Sequence, residues 1–482
     1  MPVAVDPTER CLQDRLQTSQ GDPGRYLESP VLANAYNVAE YRAAARRALP
    51  SGIFDYLDGG AEDEVTLRHN RAAFDNWGLM PKWGPVTGPD TTTTLLGRKT
   101  ALPLTLTPTG ATRMFHPEGE LAVARAASAA RVPYGLAGLS TVSMEGLANQ
   151  FPDLDRWFSL GLSSDRGYLN AKLDRCTASG YQTVVVSVDT RALGSRERDR
   201  RNGFTAPPAL TLSSLIGIAA RPRWWFNFLR TEGIRFPNLE PSRSDDSIVS
   251  PSMWHQILGH SDSSRGWEDL EALRAAWPGK IVLKGCVNPD DIVHAANIGL
   301  DAVQLSNHGG RQLDHMLSPM DVLPESRQRA GDGIELYVDS GIRRGSDIVK
   351  ALALGADACS IGRPYLYGLA AAGSPGVTRV IEILADELQR TMTLVGVSSI
   401  AELKEQGTDI VREIGTWQNV SYARKNLQLF DSARLSESRE PGIHDHLDRG
   451  EGVLEDVAGA DFTVSAISTG RTSTSQQDAS RL

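Results

Sequence analysis

Between residues 102 and 392 the chain alternates two kinds of segment. Short runs rich in apolar and β-branched residues recur eight times: LPLTLTPTG (102–110), VPYGLAG (132–138), RWFSLGL (156–162), TVVVSVD (183–189), KIVLKG (280–285), AVQLSNH (302–308), ELYVDSG (335–341) and ACSIGRP (358–364). Most are continuously apolar, as strands buried on both faces should be. Helical patterns alternate with them, among them EGELAVARAASAARV, RGYLNAKLDRCTASG, WEDLEALRAAWPG, NPDDIVHAANIG, GSDIVKALALGA and VTRVIEILADELQRTM. NPDD and GSD supply caps and first-turn acids, and glycine closes several of these segments. The alternation predicts an α/β fold, a closed parallel (β/α)8 barrel. An open doubly wound sheet is the competing architecture. Against it, no GxGxxG follows the first run, and special residues end nearly every run instead of gathering at one crevice.

The barrel is expected over residues 37–415. Residues 1–36 mix Pro, Gly, Gln and Ser with little periodicity and read as a flexible N-terminal segment. Residues 416–482 read as a mostly disordered polar tail, Ser/Thr-rich from about 430, that buries too little apolar surface to order itself. His444 and His446 belong to that tail and read as solvated side chains, so no metal site is expected. One interval breaks the rhythm: the connection after the fourth run, 190–266, is far longer than a barrel needs, which marks a lid or binding segment. Its stretch LIGIAARPRWWFNFLR (215–230) interleaves aromatic and basic residues. It reads as a lid helix on the barrel mouth, or as a patch for a membrane surface or a partner.

Composition sets outer limits. The formal net charge of −9 argues against nucleic acid as a partner, because phosphate binding calls for clustered positive charge. Cys11, Cys176, Cys286 and Cys359 lack zinc or disulfide spacing, which favours a reducing cytoplasm. No charged-then-apolar leader and no run of ~18 apolar residues is evident, so a soluble or at most peripheral protein is expected.

In barrels the reactive groups stand at the C-terminal ends of the strands. Here those ends carry Pro108, Thr109 and Gly110 on the first strand, Asp189 on the fourth and Lys284 on the fifth. His308 ends the sixth, with Arg311 beyond it. Asp339, Ser340 and Gly341 end the seventh before Arg343, and Gly362 and Arg363 end the eighth. DSGIRRGSD and IGRP are two Gly-Arg turns side by side, where backbone N–H groups and arginine suit a phosphate. Ordinary turn glycines with surface arginines are the plainer explanation of either motif alone. Strands four, five and six are neighbours about 4.8 Å apart, so Asp189, Lys284 and His308 should converge. A carboxylate fixes the histidine's tautomer and strengthens it as a base, and lysine offers fixed charge to a developing anion. Arg311 suits a substrate carboxylate. A rim salt bridge would explain any one of these groups, but three on adjacent strands less easily.

SNHGGRQLD, VLKG, VDSGIRRGSD, ALALGA and IGRPYLYGL together resemble the FMN-dependent 2-hydroxy acid oxidases and dehydrogenases, which include glycolate and lactate oxidases, mandelate dehydrogenases and quinone-linked L-lactate dehydrogenases. The resemblance runs from about 38 to 415 through FDYLDGGAEDEVTLRHN, TPTG, HPEGE, RAASAA and SVDTRALGSRERDRRNG. The long connection looks most like the bacterial L-lactate dehydrogenase branch, where such a segment can serve membrane attachment. The resemblance implies FMN as cofactor and oxidation of an L-2-hydroxy acid to the 2-keto acid, with oxygen or a quinone as acceptor. It also implies a homotetramer, cytoplasmic or peripheral at the inner face of a membrane. It makes His308 the base, Asp189 its stabiliser and Lys284 the partner of the reduced flavin. Arg311, Arg196 and Tyr56 would hold the substrate carboxylate. Arg343, Gly362 and Arg363 would grip the FMN phosphate, while Thr109, Ser187 and Ser306 contact the cofactor.

Two departures stand out. Strand three in this family normally ends F-Q-L-Y, whereas residues 158–161 read FSLG: Ser159 replaces the glutamine and Gly161 the tyrosine. Leu139 stands where glycolate oxidases carry tryptophan. A roomier pocket follows, and with it two rivals to the hydroxy-acid reading: an oxidase or oxidative decarboxylase of a bulkier metabolite, and a flavin-binding protein that has lost its chemistry.

Overall fold

The computed structural model describes residues 35–163, 165–203, 217–231, 233–239 and 264–414. The polar tail with His444 and His446, nearly all of the N-terminal segment and part of the 190–266 insertion lie outside the described residues.

Eight parallel strands close into a barrel: β1 (Leu104–Thr109), β2 (Tyr134–Leu136), β3 (Arg156–Leu160), β4 (Thr183–Ser187), β5 (Lys280–Cys286), β6 (Ala302–Leu305), β7 (Glu335–Asp339) and β8 (Ala358–Ile361). Each strand pairs with its neighbour in sequence, and β8 returns to β1 with Cys359 opposite Leu104 and Ile361 opposite Leu106. The sheet is closed, not open and doubly wound. All eight runs identified above are its strands. Their apolar continuity has a simple cause: helices cover the outer face while side chains fill the inner one. Val184, Val185 and Val186, three consecutive residues pointing alternately out and in, are all fully buried.

The inner core lies toward the N-terminal ends of the strands, where Trp157, Val185, Val282, Ala302, Tyr337 and Ala358 cluster. The Trp157 ring stacks on Tyr337 at 5.9 Å. Leu95 and Leu96 join the same cluster from an antiparallel hairpin, Thr93–Leu95 with Arg98–Thr100. Elsewhere in the interior the contacts become polar. Gln304 Nε2 donates to Thr107 Oγ1 at 2.7 Å, and the Thr105 and Ser360 hydroxyls share a 2.7 Å bond.

The alternating helices appear where periodicity places them, including Gly119–Ala130, Arg166–Ala178, Trp267–Ala276, Pro289–Asn297 and Gly345–Ala353. Asn288 and Asp165 cap two of them through their side chains. One boundary differs from the sequence expectation. The strand of the last run stops at Ile361, and Arg363 begins a helix reaching Val395, with a break at Ala372 and Gly373. Pro364 in its first turn has the backbone angle that a helix start requires. The consequence is functional, because Gly362 and Arg363 now stand at a helix N-terminus.

Among the described residues three helices precede the barrel, Val38–Ala48, Ser51–Asp58 and Val65–Asp75, and the last shows how the mouth is assembled. Its N-cap residue, Glu64, sits at φ 58° and makes no side-chain cap bond. Instead Asp314, the final residue of SNHGGRQLD, accepts from Val65 N at 3.1 Å and Thr66 N at 2.7 Å. Asn70 and Asn307 exchange side-chain amide bonds of 2.8 and 2.7 Å below it. The pre-barrel helices are thereby fastened over the end of β6.

The insertion also binds the mouth. Asn202 Nδ2 donates to Asp55 at 2.9 Å, and Arg198 pairs with Glu64. The helix Pro222–Leu229 rests on the rim through Trp224, whose Nε1 donates to Met114 O at 2.9 Å. Asn238, fully buried, accepts from Met144 N at 3.0 Å and donates to Ser140 Oγ at 2.7 Å. The described parts of the insertion therefore pack across the loops that follow β1 and β2.

Candidate functional site

The ends of β4, β5 and β6 converge as adjacency requires. Ser187 is in register with Lys284, and Lys284 with Gln304. His308 Nδ1 lies 3.0 Å from Asp189 Oδ2. The approach depends on Gly285, at φ 104°: a Cβ there would stand 2.5 Å from the Asp189 carboxyl carbon. His308 itself adopts φ 57°, uncommon for a residue with a side chain, and its N–H donates to Ser306 Oγ at 3.0 Å. Ser306 Oγ in turn donates to Asp339 Oδ2 at 2.7 Å and accepts from Lys284 Nζ at 3.2 Å. Lys284 and Asp339 are 3.3 Å apart and almost fully buried.

The charges follow from these distances. Burial depresses the His308 pKa below 6.5, more than Asp189 restores it, so the imidazole is a neutral base. Burial pushes the Asp189 carboxyl up, but His308 and Lys284 overcome it and the net shift is downward. Lys284 is opposed by burial, yet Asp339 and Asp189 raise it, leaving a fixed ammonium. With Nδ1–H donated to Asp189, the Nε2 lone pair is available.

Across the mouth, Arg311 and Arg196 flank the Tyr56 ring, their guanidinium carbons 5.0 and 5.9 Å from its centroid. Arg311 Nη1 donates to Tyr56 O at 2.6 Å and Gly59 O at 3.1 Å, which orients the guanidinium. Burial, then the neighbouring Arg196, pull the Arg311 pKa down to about 10, so a carboxylate would relieve a crowded positive site. Gln312, which sequence reasoning passed over, donates to Asp189 O at 2.8 Å and Ala192 O at 3.0 Å and fastens the loop after β4.

The third part lies at β7, β8 and β1. Arg363 donates to Leu57 O, Gly309 O and Gly59 O at 3.2, 2.8 and 2.8 Å. Arg343 Nη1 donates to Ile342 O at 2.7 Å, and burial lowers its pKa, the mark of a guanidinium without a full counter-charge. Gly341, at φ 87°, brings the turn against the carbonyl of Asn70, closer than a Cβ would allow. Thr109 Oγ1 shares a 2.5 Å bond with the Tyr365 hydroxyl. The helix N-terminus at Arg363 meets the half-buried guanidiniums of Arg343 and Arg363 here, and that donor set fits a phosphate.

All three parts open on one cavity of about 340 Å³. Of the flavin-side candidates, Pro108, Thr109, Gly110, Ser159 and Ser187 line it, as do Asp339, Gly341, Arg343, Gly362 and Arg363. Tyr56, Leu139, Gly161, Arg196, Lys284, His308 and Arg311 line it on the substrate side. Two expected members do not. Ser306 is fully buried and ties Lys284, Asp339 and the His308 backbone together. Asp189 reaches the cavity through His308. Lys172 and Leu239 are among the wall residues that went unremarked in the sequence.

The profile of the family described as FMN-dependent dehydrogenase matches residues 45–410. The putative L-lactate dehydrogenase of Mycobacterium tuberculosis is 40% identical over 394 residues, covering 80% of this chain and 91% of that one. The (S)-mandelate dehydrogenase of Pseudomonas putida is 38% identical over 371 residues, covering 77% and 93%. A crystal structure of the monotopic membrane protein (S)-mandelate dehydrogenase superposes with a TM-score of 0.74 at 38% identity, covering 79% of this chain and all of that one. The close approach at Gly341, the half-buried guanidiniums of Arg343 and Arg363 and the helix start at Arg363 fit a flavin mononucleotide phosphate, and the chain belongs to the FMN-dependent dehydrogenase family.

Proposed function

We propose that this chain oxidises an L-2-hydroxy acid to the corresponding 2-keto acid. The observation that carries the reading is the 3.0 Å His308–Asp189 pair, which shares one cavity with Arg311 and Arg196. Arg311 and Arg196, with the Tyr56 ring between them, would receive the substrate carboxylate. His308 Nε2 would take the proton, and Asp189 would stabilise the imidazolium so formed. Bound FMN supplies the acceptor for the two electrons that leave C2. Lys284, buried and held against Asp339, would place fixed positive charge beside that acceptor. Arg343, Gly362 and Arg363 would hold its phosphate. Base, clamp and lysine stand together, so neither the decarboxylating rival nor the silent flavin binder is favoured. Anaerobic mixing of the FMN-loaded enzyme with L-lactate and (S)-mandelate should bleach the flavin absorbance. A flavin that no 2-hydroxy acid bleaches would end this reading.

We further propose peripheral membrane contact through the helix Pro222–Leu229. Trp224 faces the barrel, while Trp225, Phe228 and Leu229 are 37, 36 and 73% exposed beside Arg223 and Arg230. No helix among the described residues is long and apolar enough to cross a membrane. Flotation on anionic liposomes should carry the parent, and Trp225→Ser with Leu229→Ser should stay below; equal flotation would remove this helix from the account. A quinone acceptor would suit such a location and oxygen a soluble one. A homotetramer at the cytoplasmic face is the assembly proposed, and sedimentation tests it.

A further inference from the structure

Six lysine and arginine side chains line the cavity among the described residues: Lys172, Arg196, Lys284, Arg311, Arg343 and Arg363. Five have tasks in the scheme above. Arg343 and Arg363 serve the phosphate, Lys284 is paired with Asp339, and Arg196 and Arg311 flank Tyr56. Lys172 has none.

Lys172 lies on the helix Arg166–Ala178 that follows β3, and it is only 4% exposed. A lysine on a barrel helix normally extends its stem to put the ammonium in water. This one cannot. Among the described residues its ammonium makes no hydrogen bond and no ion pair. The Tyr168 ring lies against it, with its centroid 4.2 Å from Nζ. Burial, then repulsion from Arg175, lowers its pKa to about 8, the response of an ammonium without a counter-charge. Such a group is costly to bury unless an anion reaches it.

Its position shows where the anion would come from. Lys172 shares the cavity wall with Gly161 and with the apolar Leu139 and Leu239. Gly161 carries no side chain, and it lines both this cavity and a neighbouring one of about 220 Å³. The wall of one cavity thus carries Lys172 as well as the Arg311–Arg196 pair, with aliphatic Leu139 and Leu239 in the same wall. We propose that the substrate is a 2-hydroxydicarboxylic acid, whose second carboxylate is received by Lys172. The proposal rests on hydroxy-acid oxidation at this site and adds only the chemistry of the substrate's far end.

The test compares two acids that differ by that group alone, L-2-hydroxyglutarate and L-2-hydroxypentanoate, by anaerobic flavin reduction in the FMN-loaded full chain. The parent should favour the diacid in kcat/KM by about 10- to 100-fold, the worth of a hydrogen bond to a charged group. Lys172→Leu should collapse that ratio to near one, and Lys172→Arg should keep part of it. A lysine serving only to hold the fold would change both acids together and leave the ratio where it was. A parent ratio of one or less overturns the proposal, as does a ratio unchanged in Lys172→Leu with FMN still bound. If Lys172→Leu loses FMN, the parent ratio and Lys172→Met decide. Flavin bleached by L-lactate or (S)-mandelate but by neither five-carbon acid overturns this proposal and leaves hydroxy-acid oxidation standing. Flavin bleached by none of them overturns both.

Discussion

The two sides of the barrel mouth are built on opposite plans. On the β7–β8 side the protein has filled every degree of freedom. Arg363 is bound to three backbone carbonyls, Gly341 is pressed against Asn70, and a helix begins at Arg363. On the β3 side it has removed material. Ser159 and Gly161 are small, Leu139 is aliphatic, and a buried lysine is left without a partner among the described residues. A phosphate is always the same shape, so its receptor gains from rigidity. A substrate's far end is what distinguishes one hydroxy acid from another, so open volume and one unspent charge are where selectivity resides.

His308, between the two sides, serves both, and its loss should have the largest effect. His308→Gln should slow flavin reduction by about 10²- to 10⁴-fold, the usual worth of a general base, with FMN retained. Stopped-flow absorbance under nitrogen measures it, and a rate near the parent's would move the base elsewhere. The same residue fixes the pH profile. Burial lowers its pKa from the ordinary histidine value, so the neutral base forms as pH rises and the midpoint of the rise should fall below 6.5. A midpoint above 6.5 would contradict the burial argument.

The rigid side is tested by Arg363→Ala. Losing one charged contact to phosphate should weaken FMN binding by about 10- to 100-fold, read by flavin fluorescence on titrating the apoprotein. Unchanged affinity would mean that the turns and helix start suffice without it. The open side is tested by Gly161→Tyr, which should shift kcat/KM toward L-lactate over (S)-mandelate by about 10-fold or more through lost room and a gained hydroxyl. An unchanged ratio would show that Gly161 does not bound the substrate. The smallest effect concerns the fastening between the two sides. Asp314→Ala removes the distant cap of Val65–Asp75 and should cost about 1–2 kcal/mol in urea unfolding while the flavin stays bound.

Local pattern carried much of this molecule. A strand buried on both faces is apolar along its whole length, and the alternation of such runs with helical periods admits few closed architectures, so all eight strands and the place of their reactive ends could be read in advance. Asp189, Lys284 and His308 could be brought together on paper because adjacent strands of a parallel barrel have only one side on which to end. What the pattern could not carry were partners separated by long stretches of chain. Asp314 reads as part of an active-site motif, yet it caps a helix about 250 residues earlier. Ser306 reads as a cofactor contact, and only the fold shows that its hydroxyl also joins Lys284 to Asp339. Gly285 reads as an ordinary turn, and only the approach of Asp189 shows why no side chain fits there. Lys172 is one of several cations on its helix, and the sequence does not single it out. Its burial beside the cavity was decided by which face that helix turned inward. Periodicity reports which residues leave water, but only packing determines what they meet there.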